Sequence, residues 1–179
     1  MNEIEPIKPW IPGKTDSAKM LWLSDSFAEA ASVLCEAMVE DTYERQYTNT
    51  RVILHLCRHA LELYFKGAIA AKTRKNPPKT HRLNVLHSQY RDCYPSERHA
   101  VDAPFPDQVF EDALLGLFPG SLEDYQRSHD QRYRYPTDAI GQPFEEREPF
   151  DPLTHRDAIA NFRSQINLMV FRIDRDYWA

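Results

Sequence analysis

The chain has 179 residues, a formal net charge of −5, 42% apolar and 27% charged residues, 13 prolines and only 5 glycines. The negative balance argues against a protein that coats nucleic acid through a broad basic face, while leaving room for a local basic site. So few glycines disfavour a sandwich or barrel with many tight turns, and they form neither a GxGxxG nor a GxxxxGK[ST] phosphate loop.

The length suits one domain, able to bury roughly 70% of its unfolded surface. No apolar run approaches the roughly 20 residues that span a bilayer, so no membrane partner is expected. The first residues, MNEIEP, carry early acids and no apolar run of the signal-peptide type. Cys35, Cys57 and Cys93 are odd in number and widely spaced. They are expected to be reduced and buried, which fits a cytoplasmic protein.

Prolines are absent from 13 to 76 and from 153 to 179. Proline breaks helix interiors, so these gaps predict long helices. Residues 1–14, with three prolines, are expected to form an extended arm with Trp10 as an anchor. Met20, Phe27, Ala31, Leu34 and Met38 recur at helical spacing and predict a helix over 16–40, capped by Asp16 or Ser17. A break is needed next, because a continuous 16–74 helix would be a rod of roughly 85–90 Å. Asp41 and Glu44 have capping-box spacing and predict a second helix over 42–74. Its broad apolar arc (Ile53, Leu54, Cys57, Ala60, Leu61, Tyr64, Phe65, Ala68) suits the centre of a bundle.

A basic turn with Pro77 and Pro78 follows, and Thr80 is expected to cap a third helix over 80–94. After a Pro-rich connector, 107–118 and 121–129 are expected to be helical. The stretch 133–153 breaks the pattern. Asp138 and Gly141 suit a turn, so a short β-ribbon or irregular insert is expected there, in the kind of segment that often carries function. Ile159, Phe162, Ile166, Met169, Val170, Ile173 and Tyr177 form one stripe over a last helix at 154–177, with Thr154 as its cap. The predicted fold is a single all-α, up-and-down helical bundle of five to six helices with that insert.

Two groups of residues could carry chemistry. His55 and His59 share a helix face, which Glu62 and Lys66 continue, with Arg58 adjacent. His-x3-His can hold a metal if another helix supplies His155, His87 or a carboxylate. The alternative is that one histidine packs and the other faces solvent. Glu62 and Lys66 have the favourable order for an ion pair, either structural or as part of a polar site within the bundle. Elsewhere, Arg127, His129, Arg132, Tyr133, Arg134 and Tyr135 combine guanidinium forks for phosphate with rings for base stacking. The alternative there is a ribbon whose arginines pair with Glu145, Glu146 and Glu148. No cofactor is expected. No GxSxG is present, and no cysteine has an evident activating partner.

The run His59-Ala-Leu-Glu-Leu-Tyr-Phe-Lys66-Gly-Ala, the basic turn, and Thr80-His81-Arg-Leu83-Asn-Val-Leu86 resemble the core of HEPN domains over about 51–90. The last helix matches only loosely. The resemblance implies an up-and-down α-bundle, often a homodimer, that binds a nucleotide, RNA or a partner protein. Its settings are toxin–antitoxin, defence or RNA-processing systems. Ribonuclease members of that superfamily carry Arg, four to six residues, then His. Here Arg127 lies too near His129 and Arg147 too far from His155. Arg74 and His81 have six residues between them, but across the Pro-Pro turn. The expectation is therefore a binding domain. Its alternatives are a non-catalytic interaction subunit and a metal-dependent bundle enzyme using His55 and His59.

Overall fold

A computed structural model of the chain describes residues 14–105, 109–110, 119–129, 131–137, 140–144 and 150–178. Three long segments with heptad-like apolar spacing decide the architecture. In α1 (Asp16–Val39) the buried residues are Ala18, Leu21, Ser24, Ala28, Ala31, Cys35 and Met38, steps of three and four that stay on one face. Ser24 is fully buried and donates its hydroxyl to the Leu21 carbonyl at 2.7 Å, so its burial leaves no unmade bond. α2 (Tyr47–Thr73) is buried over much of its circumference, and α5 (Pro152–Trp178) buries Ile159, Phe162, Ile166, Met169, Val170 and Ile173. Each such large side chain contributes about 1.5–3 kcal/mol relative to exposure.

α1 packs along both α2 and α5. Asp25 meets Asn167 and Glu29 meets Arg163, while Lys14 reaches Asp174 at 2.8 Å, so α1 and α5 run antiparallel. α1 and α2 are also antiparallel, since Gly67 near the end of α2 lies against Leu21 and Ser17 near the start of α1. Among the described residues there are two further α-helices, α3 (Leu83–Cys93) and α4 (Pro119–Ser128), and a 3-10 turn at Glu97–His99. The all-α bundle expected from the sequence is present.

The helix ends depart from expectation. Thr15, not Asp16 or Ser17, caps α1 by accepting from the Ala18 N–H at 3.3 Å. The Asp41/Glu44 capping box does not form. Asp41 sits at φ +60°, and Arg45 reaches back to the Met38 and Val39 carbonyls at 3.1 Å each. That arginine satisfies the end of α1, and α2 starts only at Tyr47. Thr80 does not cap α3. Its hydroxyl accepts from the Arg82 N–H inside the turn, and the helix begins at Leu83. Asp151, not Thr154, caps α5: its carboxylate accepts the Thr154 N–H at 3.2 Å, and Pro152 takes the first helical position.

α3 is docked by aromatic side chains. Tyr64 donates its hydroxyl to Tyr90 at 2.6 Å, Tyr90 donates to the His99 carbonyl at 2.7 Å, and Tyr94 donates to the Ala68 carbonyl at 3.1 Å. Burial pushes the Tyr90 hydroxyl up to about 12, and that of Tyr64 rises well above its usual value, so both remain protonated donors. The connector after α3 is tied to α5 by a mutual Asp102–Gln165 pair and by Arg172 donating to the Arg98 carbonyl.

Among the described residues the expected β-ribbon or irregular insert shows one antiparallel bridge, Thr137 with Pro143, with Gly141 at φ +83° between them. Residues 131–134 form a turn after α4 rather than a strand. The arm with Trp10, most of the 107–118 helix and Glu145, Glu146 and Glu148 lie outside the described residues. Cys35 and Cys57 are buried free thiols as expected, whereas Cys93 is only half-buried.

At Gly67 the backbone of α2 lies close against α1. A Cβ there would stand 2.9 Å from Leu21 Cγ and 3.0 Å from the Ser17 carbonyl oxygen. Overpacking costs about 1–3 kcal/mol and the gain in helix propensity returns up to about 1. Gly67→Ala is therefore expected to lose about 1–2 kcal/mol in urea denaturation. A variant as stable as the parent would show that α1 yields at this point.

Candidate functional site

The polar residues of α2 fall on one stripe opposite its apolar arc: Arg51, His55, Arg58, His59, Glu62 and Lys66. At its centre Glu62 is buried and accepts three donors. Arg58 Nη1 meets Oε2 at 2.8 Å, Lys66 Nζ meets Oε1 at 2.9 Å, and His81 Nδ1 meets the same oxygen at 2.8 Å. Arg58 also donates Nη2 to the His81 carbonyl at 2.6 Å, which pins the loop between α2 and α3 to the helix. Side-chain exposure is 3% for Arg58, 6% for Glu62 and 10% for Lys66, against 66% for His81. The histidine therefore stands on a buried ionic base with its outer edge in solvent.

Burial by itself would raise the Glu62 pKa. The hydrogen bonds and charges of Lys66 and Arg58 outweigh it and hold the carboxyl at about 2. An ionised carboxylate only accepts, so the proton in the His81 contact belongs to Nδ1. Two cations against one carboxylate leave the buried part of the cluster with one net positive charge.

His55 and His59 lie beside this cluster with rings stacked at 5.9 Å, and His59 meets the edge of Phe27 in α1 at 4.7 Å. Both are half-buried, so neither half of the expected pattern, one packed and one solvated, holds. Burial is the first cause holding both pKa values below the usual imidazole range. The Arg134 and Arg58 charges add to it in each case, and Glu62 opposes it. Arg134 is thus within electrostatic reach of the α2 stripe. Arg51 stacks over Tyr47 at 4.4 Å and lies 5.8 Å from the Tyr133 ring centre, a second link between the stripe and the turn after α4.

The Arg/Tyr group divides between structure and surface. His129 and Tyr133 are buried, joined at 3.1 Å through Nε2 and the hydroxyl, and boxed by Phe105 and Tyr125. Arg132 lies over the Tyr125 ring at 4.7 Å and Phe144 at 5.4 Å. Arg127 is exposed and paired with Asp124. Arg134 and Tyr135 are exposed neighbours, the guanidinium 5.6 Å from the ring. Of the candidates, then, the fold groups His55, His59, Glu62 and Lys66, brings Arg134 near them with Tyr135 beside it, seats His129 and Tyr133 among buried rings, and leaves Arg127 and Arg132 in contacts of their own.

Arg58 and His81 complete the cluster and were not singled out as site residues from the sequence. Arg58-x3-Glu62-x3-Lys66 is a legible helical spacing. His81 is 19 residues from Glu62, and no local spacing joins them. For a metal, no group of three or more His, Cys, Asp or Glu side chains gathers among the described residues. His87 packs on Phe65 and Phe110, and His155 stacks on Phe150. No described helix is long and apolar enough to cross a membrane.

No protein-family description, curated protein or solved structure matches the chain.

Glu62 couples stability to pH. Its folded pKa is depressed from 4.5 to about 2. The stabilisation is therefore complete above the unfolded value and is lost as pH falls toward the folded one. The shift corresponds to about 3 kcal/mol. Glu62→Gln should start about 3–5 kcal/mol less stable at neutral pH, because Arg58 and Lys66 lose their carboxylate. It should then lose less than the parent between about pH 5 and pH 3. Parallel acid curves for the two proteins would show that this carboxylate does not carry the coupling.

Proposed function

We propose that the chain is a HEPN-like cytosolic domain that binds an anionic ligand, a nucleotide or RNA, along the polar stripe of α2 beside the turn at 131–135. One observation carries this reading. The stripe sets Arg51, Arg58 and Lys66 against a single carboxylate, Glu62. Its buried atoms Arg51 Nε, His55 Nδ1 and Arg58 Nε have no partner among the described residues. With more cations than carboxylates the stripe carries an excess of positive charge, which favours an anionic ligand. Arg134, exposed and within reach of the two histidines, supplies a guanidinium for phosphate. The resemblance of residues 59–86 to HEPN domains supports the same ligand class, in a toxin–antitoxin, defence or RNA-processing setting.

A second reading, an interaction subunit that pairs with a copy of itself or a partner protein, rests on a different face. Trp22 in α1 and Leu168 and Phe171 in α5 are 42%, 45% and 65% exposed. The Asp25–Asn167 contact sets these parts of the two helices side by side.

Isothermal titration against nucleotides and short RNAs tests the first reading. Saturable binding is expected, weakened about tenfold by Arg134→Ala, since a charge-assisted hydrogen bond contributes roughly 1.5 kcal/mol or more. Absence of binding, together with no effect of Arg134→Ala, would remove the nucleotide and RNA reading and leave the interaction surface.

A further inference from the structure

We propose that His81 Nε2 is a nucleophile that accepts a phosphoryl group, with Glu62 as its positioning residue. The proposal rests on the reading of the α2 cluster as a site for anions, but it needs neither a nucleotide nor RNA.

All seven histidines lie among the described residues, and His81 alone is exposed. The others are half-buried or buried. His87 packs on Phe65, His155 on Phe150, and His99 and His129 sit among aromatic rings. His81 differs in a second respect: its Nδ1 is held at 2.8 Å by a carboxylate that is itself buried and fixed by Arg58 and Lys66. Because Glu62 only accepts, the neutral ring carries its proton on Nδ1 and its lone pair on Nε2. With Nδ1 engaged by Glu62 and the side chain 66% exposed, Nε2 is the ring nitrogen left to meet a reactant from solvent. The backbone is fixed too, since Arg58 holds the His81 carbonyl at 2.6 Å. A ring anchored at one nitrogen and at its main chain presents the other nitrogen in one orientation, which is the arrangement that nucleophilic imidazoles require.

Charge selects the electrophile. The Arg58–Lys66–Glu62 group that His81 contacts carries one net positive charge, and Lys79 is exposed two residues away. A neutral acyl group gains little from this, whereas the oxygens of a phosphoryl group carry the complementary charge. No enclosing pocket is needed to deliver a small donor to an exposed ring.

With an acyl phosphate as donor the step balances. The Nε2 lone pair attacks phosphorus, the Nε2–P bond forms, and the bond from phosphorus to the bridging oxygen breaks. The carboxylate leaves with the electron pair. The ring becomes a phosphorylated imidazolium that keeps its Nδ1 proton on Glu62, and nothing is oxidised or reduced.

The test treats the full chain with acetyl phosphate at neutral pH. Intact mass and 31P NMR follow the reaction, and peptide mapping under alkaline conditions locates the label. One acid-labile phosphoryl group at His81 is expected, formed about tenfold faster than at any other histidine, in line with what a fixed outer partner typically adds. His81→Asn, whose amide can still meet Glu62, should abolish it. Glu62→Gln should slow it about tenfold, with Glu62→Asp intermediate. 15N NMR of the unmodified protein should show the Nδ1–H tautomer at His81, a readout independent of how well the Glu62 variants fold. Labelling spread evenly over several histidines, labelling that survives His81→Asn, or the Nε2–H tautomer would overturn the proposal. Failure of nucleotide and RNA binding with His81 labelling intact would remove only the ligand assignment above. Loss of selective labelling with nucleotide binding intact would remove only this one.

Discussion

Glu62 is a carboxylate inside a helical bundle, and the polar half of the structure is arranged around keeping it charged. Taking a carboxylate out of water is expensive, and its cost is offset only if every lone pair finds a donor. Arg58 and Lys66 supply donors one turn before and one turn after it, and His81 supplies a third from the next loop. The dependence is mutual, because two buried cations without the carboxylate would be as costly as the carboxylate without them. Arg58 then adds a hydrogen bond to the His81 carbonyl, so one ionic group sets both a helix face and the path of the chain leaving it.

That loop path has consequences for packing. The turn from Arg74 at φ +58° through Pro77 and Pro78 delivers Leu83, Leu86 and Tyr90 to the apolar arc of α2. There the Tyr64–Tyr90–His99 hydrogen-bond chain and the Tyr94–Ala68 bond close over them. α1 covers the other flank through small residues, with Gly67 at a close approach, and α5 closes against α1. α2 is thus apolar where helices cover it and charged along the strip that meets His81 toward one end and the 131–135 turn toward the other. Function is proposed on that strip because it is the place where buried cations, half-buried imidazoles and an exposed histidine meet.

The long helices were legible because their signal is additive. Seven stripe positions in α5 or the proline-free run of α2 outweigh any single unfavourable residue. The caps were not legible, because each is a competition between a few hydrogen bonds of similar strength. Asp41 and Glu44 have the right spacing, yet Arg45 reaching the Met38 and Val39 carbonyls draws the chain into a left-handed turn first. Thr80 spends its hydroxyl on the Arg82 N–H, and Asp151 takes the role expected of Thr154. The Arg/Tyr run shows a similar limit. Its alternation suggested a ribbon, but His129 and Tyr133 gain more by burying their rings with Phe105 and Tyr125, which turns the segment and leaves Arg134 outside.

By itself, the sequence determined that this is an all-α chain, where its long helices run, and that His55, His59, Glu62 and Lys66 share one side of α2. Periodicity and proline placement are local quantities, and a helix converts them directly into faces. Only the tertiary structure decided that His81 stands on Glu62, that Arg134 lies near the two histidines, and that His129 and Tyr133 belong to a small core rather than a surface. Each of these depends on where a loop ends after tens of residues. That is set by the sum of packing and charge pairing across the bundle, not by any spacing along the chain.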